Sequence, residues 1–292
     1  MIRRSASVVL AACSSAALAH DGEVHAGSPG WTFDPWVTVP LALLLVLFLI
    51  GQARLSRRSN VVRPRAWLFL GGWAVLAASL VSPLHEGGEV SFTLHMIEHE
   101  LIMLVATLLL AASHAGGVLA WGFPAGLRQS LGGRWKAPLM AIWRRLTEPV
   151  TATAIQAAVM WVWHAPSLFD RALESQGWHI AQHASFILAS LLFWSAMLNP
   201  RRGGYLLSAA CLFATSMIEG ALGALMALSE SPWYSAYAAM DLSGIGLNPT
   251  TDQQLAGLLM WVPGGLLHGA VALVLLYRWL GKAGGRDALP SH

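Results

Sequence analysis

Leu94-His95-Met96-Ile97-Glu98-His99-Glu100-Leu101-Ile102-Met103-Leu104-Val105-Ala106-Thr107-Leu108-Leu109-Leu110 opens on imidazoles and carboxylates and runs on as hydrocarbon. Carried to His114, the segment has about the length a bilayer asks of a helix. A helix turns about 100° per residue, so His95 and His99 share one face and can offer two nitrogens to one ion or one neighbouring helix. His179 and His183 repeat the spacing at the start of another apolar segment.

Composition places that helix in a membrane. Of the 292 residues 55% are hydrophobic and only 11% charged, against about 25% charged in a soluble domain; mean hydropathy is +0.55. Apolar stretches fall at 35–53, 66–82, 94–114, 149–165, 178–198, 204–228 and 253–280. The expected fold is therefore all-α, a polytopic bundle of seven transmembrane helices over 35–282. Residues 1–19 read as a signal peptide, with Arg3 and Arg4, an apolar run and the small-residue exit Ala17-Leu18-Ala19. Leu10-Ala11-Ala12-Cys13 also fits a lipoprotein processing box. Cleavage leaves a periplasmic segment, 20–34, so the N-terminus is expected outside and the tail, 283–292, in the cytoplasm. Of the 18 Lys and Arg, Arg3 and Arg4 fall in the leader and Arg171 outside, which leaves 15 on the inner side, as the positive-inside rule requires. Trp36, Trp163, Trp178 and Trp233 are expected at the outer boundary and Trp67, Trp194 and Trp279 at the inner one. The sequence pI near 9.2 reflects these dispersed loop cations, so nucleic acid is set aside as a partner.

On this topology His20, His25, His85, His95, His99, His164, His179 and His183 lie toward the outer side, together with most acids. Such a face attracts cations. Cys211 is the only cysteine outside the leader, so a metal site must use His, Met or carboxylate. Met103 follows His99 by four residues and Met160 precedes His164 by four. Imidazole with thioether suits copper, Cu(I) above all, although Met is also a common core filler and a helix-end His is often structural. The candidate ligands are His95, His99, His179, His183, His164 and Met103, with His85, His20, Met160 and His268 as further candidates. Glu98 and Glu219 are candidates for orienting ligands or handling protons; Glu219 can equally be a buried acid that ties helices together. Asp252, in Asp252-Gln253-Gln254, either caps the start of its own helix or faces the site. The loop 229–252, with Ser231-Pro232-Trp233-Tyr234, stands to cap whatever lies below it. His95-Met-Ile-Glu98-His99 matches the H-x-x-E-H pattern of inverted zinc peptidases, but no separate catalytic domain accompanies it, and an enzyme is not expected.

Several pieces occur together in order: Ser82-Pro83-Leu84-His85, His95-Met96 with His99, Trp161-Val162-Trp163-His164, His179 with His183, Ser231-Pro232-Trp233-Tyr234, and Asp252-Gln253-Gln254 running to Met260-Trp261-Val262-Pro263-Gly264-Gly265. In these the chain resembles the caa3-type CtaG family of cytochrome c oxidase assembly factors. The resemblance implies a non-enzymatic, multi-pass protein of the bacterial inner membrane that supports formation of haem-copper oxidase. Copper delivery is the usual proposal, with oxidase subunits, copper chaperones and the lipid bilayer as partners. The chain departs from the expected pattern at Glu98 and Thr107, where glutamine and proline are anticipated, and at Glu219, where a histidine would fit. A copper permease and a membrane cytochrome with bis-His haem are the competing expectations.

Overall fold

Proline and short polar residues fix where the helices begin. Asp34 accepts from the Trp36 amide at 2.8 Å and starts α1, Pro35–Ser56, with proline at its first position. Ser82 and Pro83 do the same for α3, Pro83–Val90, and Glu148 and Pro149 for α9, Pro149–Trp163. Proline has no amide to leave unpaired there, and an oxygen at the cap satisfies one of the free donors.

The computed structural model describes residues 30–57, 65–133, 135–200, 204–243 and 246–284. The leader at 1–19, Cys13, His20, His25 and the tail at 285–292 lie outside the described residues. Between α1 and α3 comes α2, Ala66–Val81; after α3 come α4, Phe92–Glu100, a π-helical turn, Leu101–Ala106, and α5, Thr107–Ser113. Residues 115–148, which connect the apolar stretches 94–114 and 149–165, hold three short helices, α6, Gly116–Gly122, α7, Ala125–Gly132, and α8, Lys136–Leu146. Then follow α9, α10, Pro166–Glu174, α11, Gln176–Leu198, α12, Tyr205–Ala227, α13, Ser235–Ala238, and α14, Pro249–Gly284. No strand occurs among the described residues.

The chain is a multi-pass helical membrane protein. Five helices are long and apolar enough to cross: Pro35–Ser56, Phe92–Ser113, Gln176–Leu198, Tyr205–Ala227 and Pro249–Lys282; the pair Ala66–Val81 and Pro83–Val90, bent by 46°, makes up to six. The remaining apolar segment, at 149–165, forms a 15-residue helix, about 22 Å at 1.5 Å per residue. That is shorter than a full hydrocarbon core, yet α9 packs against α11 and α12 inside the bundle.

Glycines permit the close contact of α12 with α14. A Cβ on Gly223 of α12 would sit 2.7 Å from the Gly257 carbonyl oxygen, and one on Gly257 of α14 would sit 2.5 Å from that of Gly223. Backbones this close need both side chains absent, the small-residue packing of membrane helices. At the π-turn the Met103 carbonyl receives two side-chain donors, the Thr107 hydroxyl at 2.6 Å and the Trp194 indole at 2.8 Å. Trp194 is therefore 1% exposed, buried in the bundle rather than at the inner boundary. Trp163, 9% exposed, is likewise turned inward to Ser185; Trp36 and Trp67 stay on the surface. An indole that has found a buried acceptor has no need of the headgroup zone.

Candidate metal centre

Three helices bring the imidazoles together at one end of the bundle. His85 lies on α3, not in the glycine-rich loop its neighbours suggest: Ser82 caps the helix and Pro83 sets its first turn, which overrides Gly87 and Gly88. His95, Glu98 and His99 lie on α4, and His179 and His183 on α11. Ser91 caps α4 by accepting from the Leu94 amide. Asp252 reinforces that cap from α14, accepting from the Ser91 hydroxyl at 2.9 Å, the Phe92 amide at 2.6 Å and the Thr93 amide at 3.2 Å. Asp252 thus neither faces the histidines nor caps its own helix; it holds the start of the helix that carries them. Gln253 and Gln254 tie the loop below Trp233 to the same end of α14 through the Trp233 amide and the Ser231 and Ser229 carbonyls.

Within the cluster the rings touch. His95 and His99 centroids are 4.3 Å apart, His179 and His183 4.5 Å, His99 and His183 5.1 Å, and His85 stacks on His179 at 5.2 Å. Glu98, fully buried, is the hub: its Oε1 lies 2.8 Å from His85 Nδ1 and 3.2 Å from His183 Nε2. One ligand atom from each of His85, Glu98 and His183 falls within 4.8 Å of the others. Ligand atoms around one ion lie about 3–4 Å apart, given metal–nitrogen bonds of about 2.0 Å, so small side-chain rotations close the set.

Hydrogen-bond accounting supports a ligand at this place. His95 Nε2, both nitrogens of His99, His164 Nε2, His179 Nε2 and Glu98 Oε2 are buried without a hydrogen-bond partner in the protein. Buried polar atoms are normally paired, and each orphan costs about 1–3 kcal/mol. Six orphans on adjoining residues form a donor set that a cation would satisfy. His164, at the end of α9, reaches the cluster across Phe186, whose ring it approaches at 6.2 Å while His99 approaches it at 4.8 Å. Its Nδ1 is engaged by the Met160 carbonyl at 2.7 Å.

The thioethers are placed differently. Met103 and Met160 are buried in the main apolar core, the former inside the π-turn, where the straight i, i+4 stripe from His95 through His99 ends. Glu219 and His268 stand apart from the imidazole cluster as a second buried pair, 3.8 Å between His268 Nδ1 and Glu219 Oε2.

Residues the sequence reading passed over close the top of the cluster. Phe169 and Tyr237 approach His95 at 5.2 and 6.3 Å. Tyr237 donates to the Gly88 carbonyl and Tyr234 to that of His164 at 3.1 Å. The loop at 229–252 therefore lays two tyrosines over the site. Tyr234 stood in a quoted motif; Tyr237, in an ordinary Ala-Tyr-Ala setting, offered no local signal.

Comparison with known proteins gives the family. The chain is 27% identical over 266 residues to uncharacterized proteins of Mycobacterium bovis and of Mycobacterium tuberculosis, and 26% identical over 261 residues to one of Mycobacterium leprae. Each alignment covers 85% of this chain and 39% of the relative, so the chain spans about two fifths of the length of these relatives. No solved structure matches it. Residues 46–282, which hold every residue of the imidazole cluster, match the family described as cytochrome c oxidase caa3 assembly factor, and the chain belongs to that Caa3_CtaG family.

Proposed function

We propose that the chain assists assembly of haem-copper cytochrome c oxidase by holding copper at the cluster of His85, His95, His99, His179, His183 and Glu98 and releasing it to an oxidase subunit. The observation that carries this reading is the set of orphaned imidazole nitrogens around a buried carboxylate. A cargo site needs exchangeable ligands rather than a closed cage. The surplus of imidazoles suits that need, because an ion can pass from one nitrogen pair to the next without losing all its ligands at once. Imidazole favours copper among the first-row ions, and His164 stands across Phe186 as a further nitrogen donor. In this reading the cluster faces the periplasm of the bacterial inner membrane. The short α9 completes seven spans, its thin end filled by α8 and α10, and Arg54, Arg57, Arg144 and Arg145 lie on the cytoplasmic side. The role is non-catalytic, and copper chaperones stand upstream as donors. Ring-to-ring contact supports a single ion over haem, whose macrocycle would have to part the imidazoles.

Replacing His99 and His183 together with alanine tests the proposal. Bound copper in the purified protein and oxidase activity of membranes carrying the variant should both fall by at least about tenfold, the range for loss of metal-centre groups. Unchanged copper content and unchanged oxidase activity would overturn it.

A further inference from the structure

Below the imidazole cluster the bundle buries a second group of polar side chains. Glu219 on α12 and His268 on α14 are 6% and 1% exposed, and Glu100 is the last residue of α4. Glu100 Oε2 and His268 Nδ1 are both buried without a hydrogen-bond partner in the protein. Glu100 is directed at α14: a Cβ on Gly264, one turn before His268, would lie 3.6 Å from its Oε2.

The separation of 3.8 Å between His268 Nδ1 and Glu219 Oε2 is too long for a hydrogen bond. It is the span that two atoms subtend when each sits about 2.0–2.1 Å from one ion, which is roughly 3.3–4.1 Å between tetrahedral and linear angles. The surroundings fix both groups in that relation. Gln156 of α9 donates to Glu219 Oε1 at 3.2 Å and accepts from the Ser190 hydroxyl of α11 at 3.3 Å, so the other carboxylate oxygen is turned toward His268. Trp194 stacks on the His268 ring at 5.4 Å with planes 11° apart, which holds the imidazole plane. An oriented carboxylate with a partnered amide behind it, facing a clamped imidazole, is the supporting pattern of a ligand set.

We propose that Glu219 and His268 form the core of a second metal site that binds one divalent first-row ion, of the Zn(II) or Cu(II) class, with the Glu100 carboxylate turning in from beside Gly264 as a further oxygen ligand when the ion binds. Two carboxylates with one imidazole suit such an ion rather than the cuprous ion of the outer cluster. The site stands on its own residues and does not depend on what the outer cluster binds.

Zinc binding to the purified full-length chain tests it, in a background where His99→Ala and His183→Ala have weakened the outer cluster. Elemental analysis after equilibration with micromolar Zn(II) should find an equivalent that falls at least about tenfold in affinity with Glu219→Gln and with His268→Ala. Gln156→Leu should weaken it by a smaller factor, and Glu219→Asp should retain it. If Glu219→Gln does not fold, the His268→Ala chain and its Co(II) absorption decide alone. Zinc content indifferent to both changes, or a folded background chain that binds no zinc, would overturn the proposal; the latter result would mean that the pair shares only a proton. Copper loss on removal of the outer histidines bears on the outer cluster alone, so either site can fail without the other.

Discussion

Five imidazoles surround one carboxylate in the outer cluster, whereas in the deep group one carboxylate faces one imidazole and a second lies against the same helix, α14. The outer cluster draws its donors from two helices that each carry a pair one turn apart, together with the short α3. The deep group takes one residue from each of α4, α12 and α14 and its support from α9 and α11. Imidazoles are neutral donors and crowd together at little electrostatic cost, so the outer cluster can assemble first and bind later. The deep group is held in place by the helices around it. One site is made by local spacing, the other by tertiary packing.

That difference can be broken at the contact between α12 and α14. Gly257→Leu places a side chain where even a Cβ meets the Gly223 carbonyl at 2.5 Å. Overpacking costs about 1–3 kcal/mol or more when side chains can yield, and here the obstacle is backbone. We expect loss of monodisperse protein on size exclusion, or a folded remnant in which the deep site is destroyed. Because α14 also supplies Asp252 to α4, outer-cluster copper should fall too. A variant with wild-type elution and wild-type content of both metals would show that the two helices do not need this approach.

Glu98→Gln sharpens the comparison at the outer cluster alone. The amide keeps the shape but removes the one negative charge among five imidazoles and one of the acceptors shared by His85 and His183. Copper affinity should drop about 10–100-fold while the zinc equivalent assigned to Glu219 and His268 stays, as measured by competition with a chromogenic chelator. An undiminished copper affinity would make Glu98 a passive hydrogen-bond acceptor.

The sequence made one of these sites legible and hid most of the other for the same reason. His95 with His99 and His179 with His183 could be read as pairs because helical spacing is a local property, and each apolar segment announced its helix. His85 was harder, since Gly87 and Gly88 resemble a loop until Ser82 and Pro83 are seen to cap a helix. Glu98 lay inside the quoted motif, but its place between His85 and His183 depends on α3 and α11 meeting across it. Glu219 and His268 were visible singly as polar residues in apolar runs. Their pairing, the part of Gln156, and the approach of Glu100 rest on contacts between different helices far apart in sequence, which no periodicity encodes. The π-turn at Leu101–Ala106 also carries no pattern: it is stabilised by Trp194, from a different helix, donating to the Met103 carbonyl.

The smallest of the expected effects tests whether the outer cluster is preorganised from outside. Asp252 touches no imidazole, yet its two oxygens hold the Ser91 hydroxyl and the amides of Phe92 and Thr93, so the first turn of α4 is anchored to α14. Asp252→Asn keeps one oxygen and turns an amide group toward donors that need an acceptor, a loss of about 1–3 kcal/mol for a buried hydrogen bond. Helix α4 would still form, because Ser91 remains as its cap, but its start would no longer be fixed. We expect a lower melting temperature and a copper affinity reduced only a few-fold, with zinc at the deep group unchanged because Glu219 and His268 lie well along their helices from this anchor. A copper loss as large as that of Glu98→Gln would mean that the orientation of α4, more than the charge of Glu98, sets the affinity of the outer cluster.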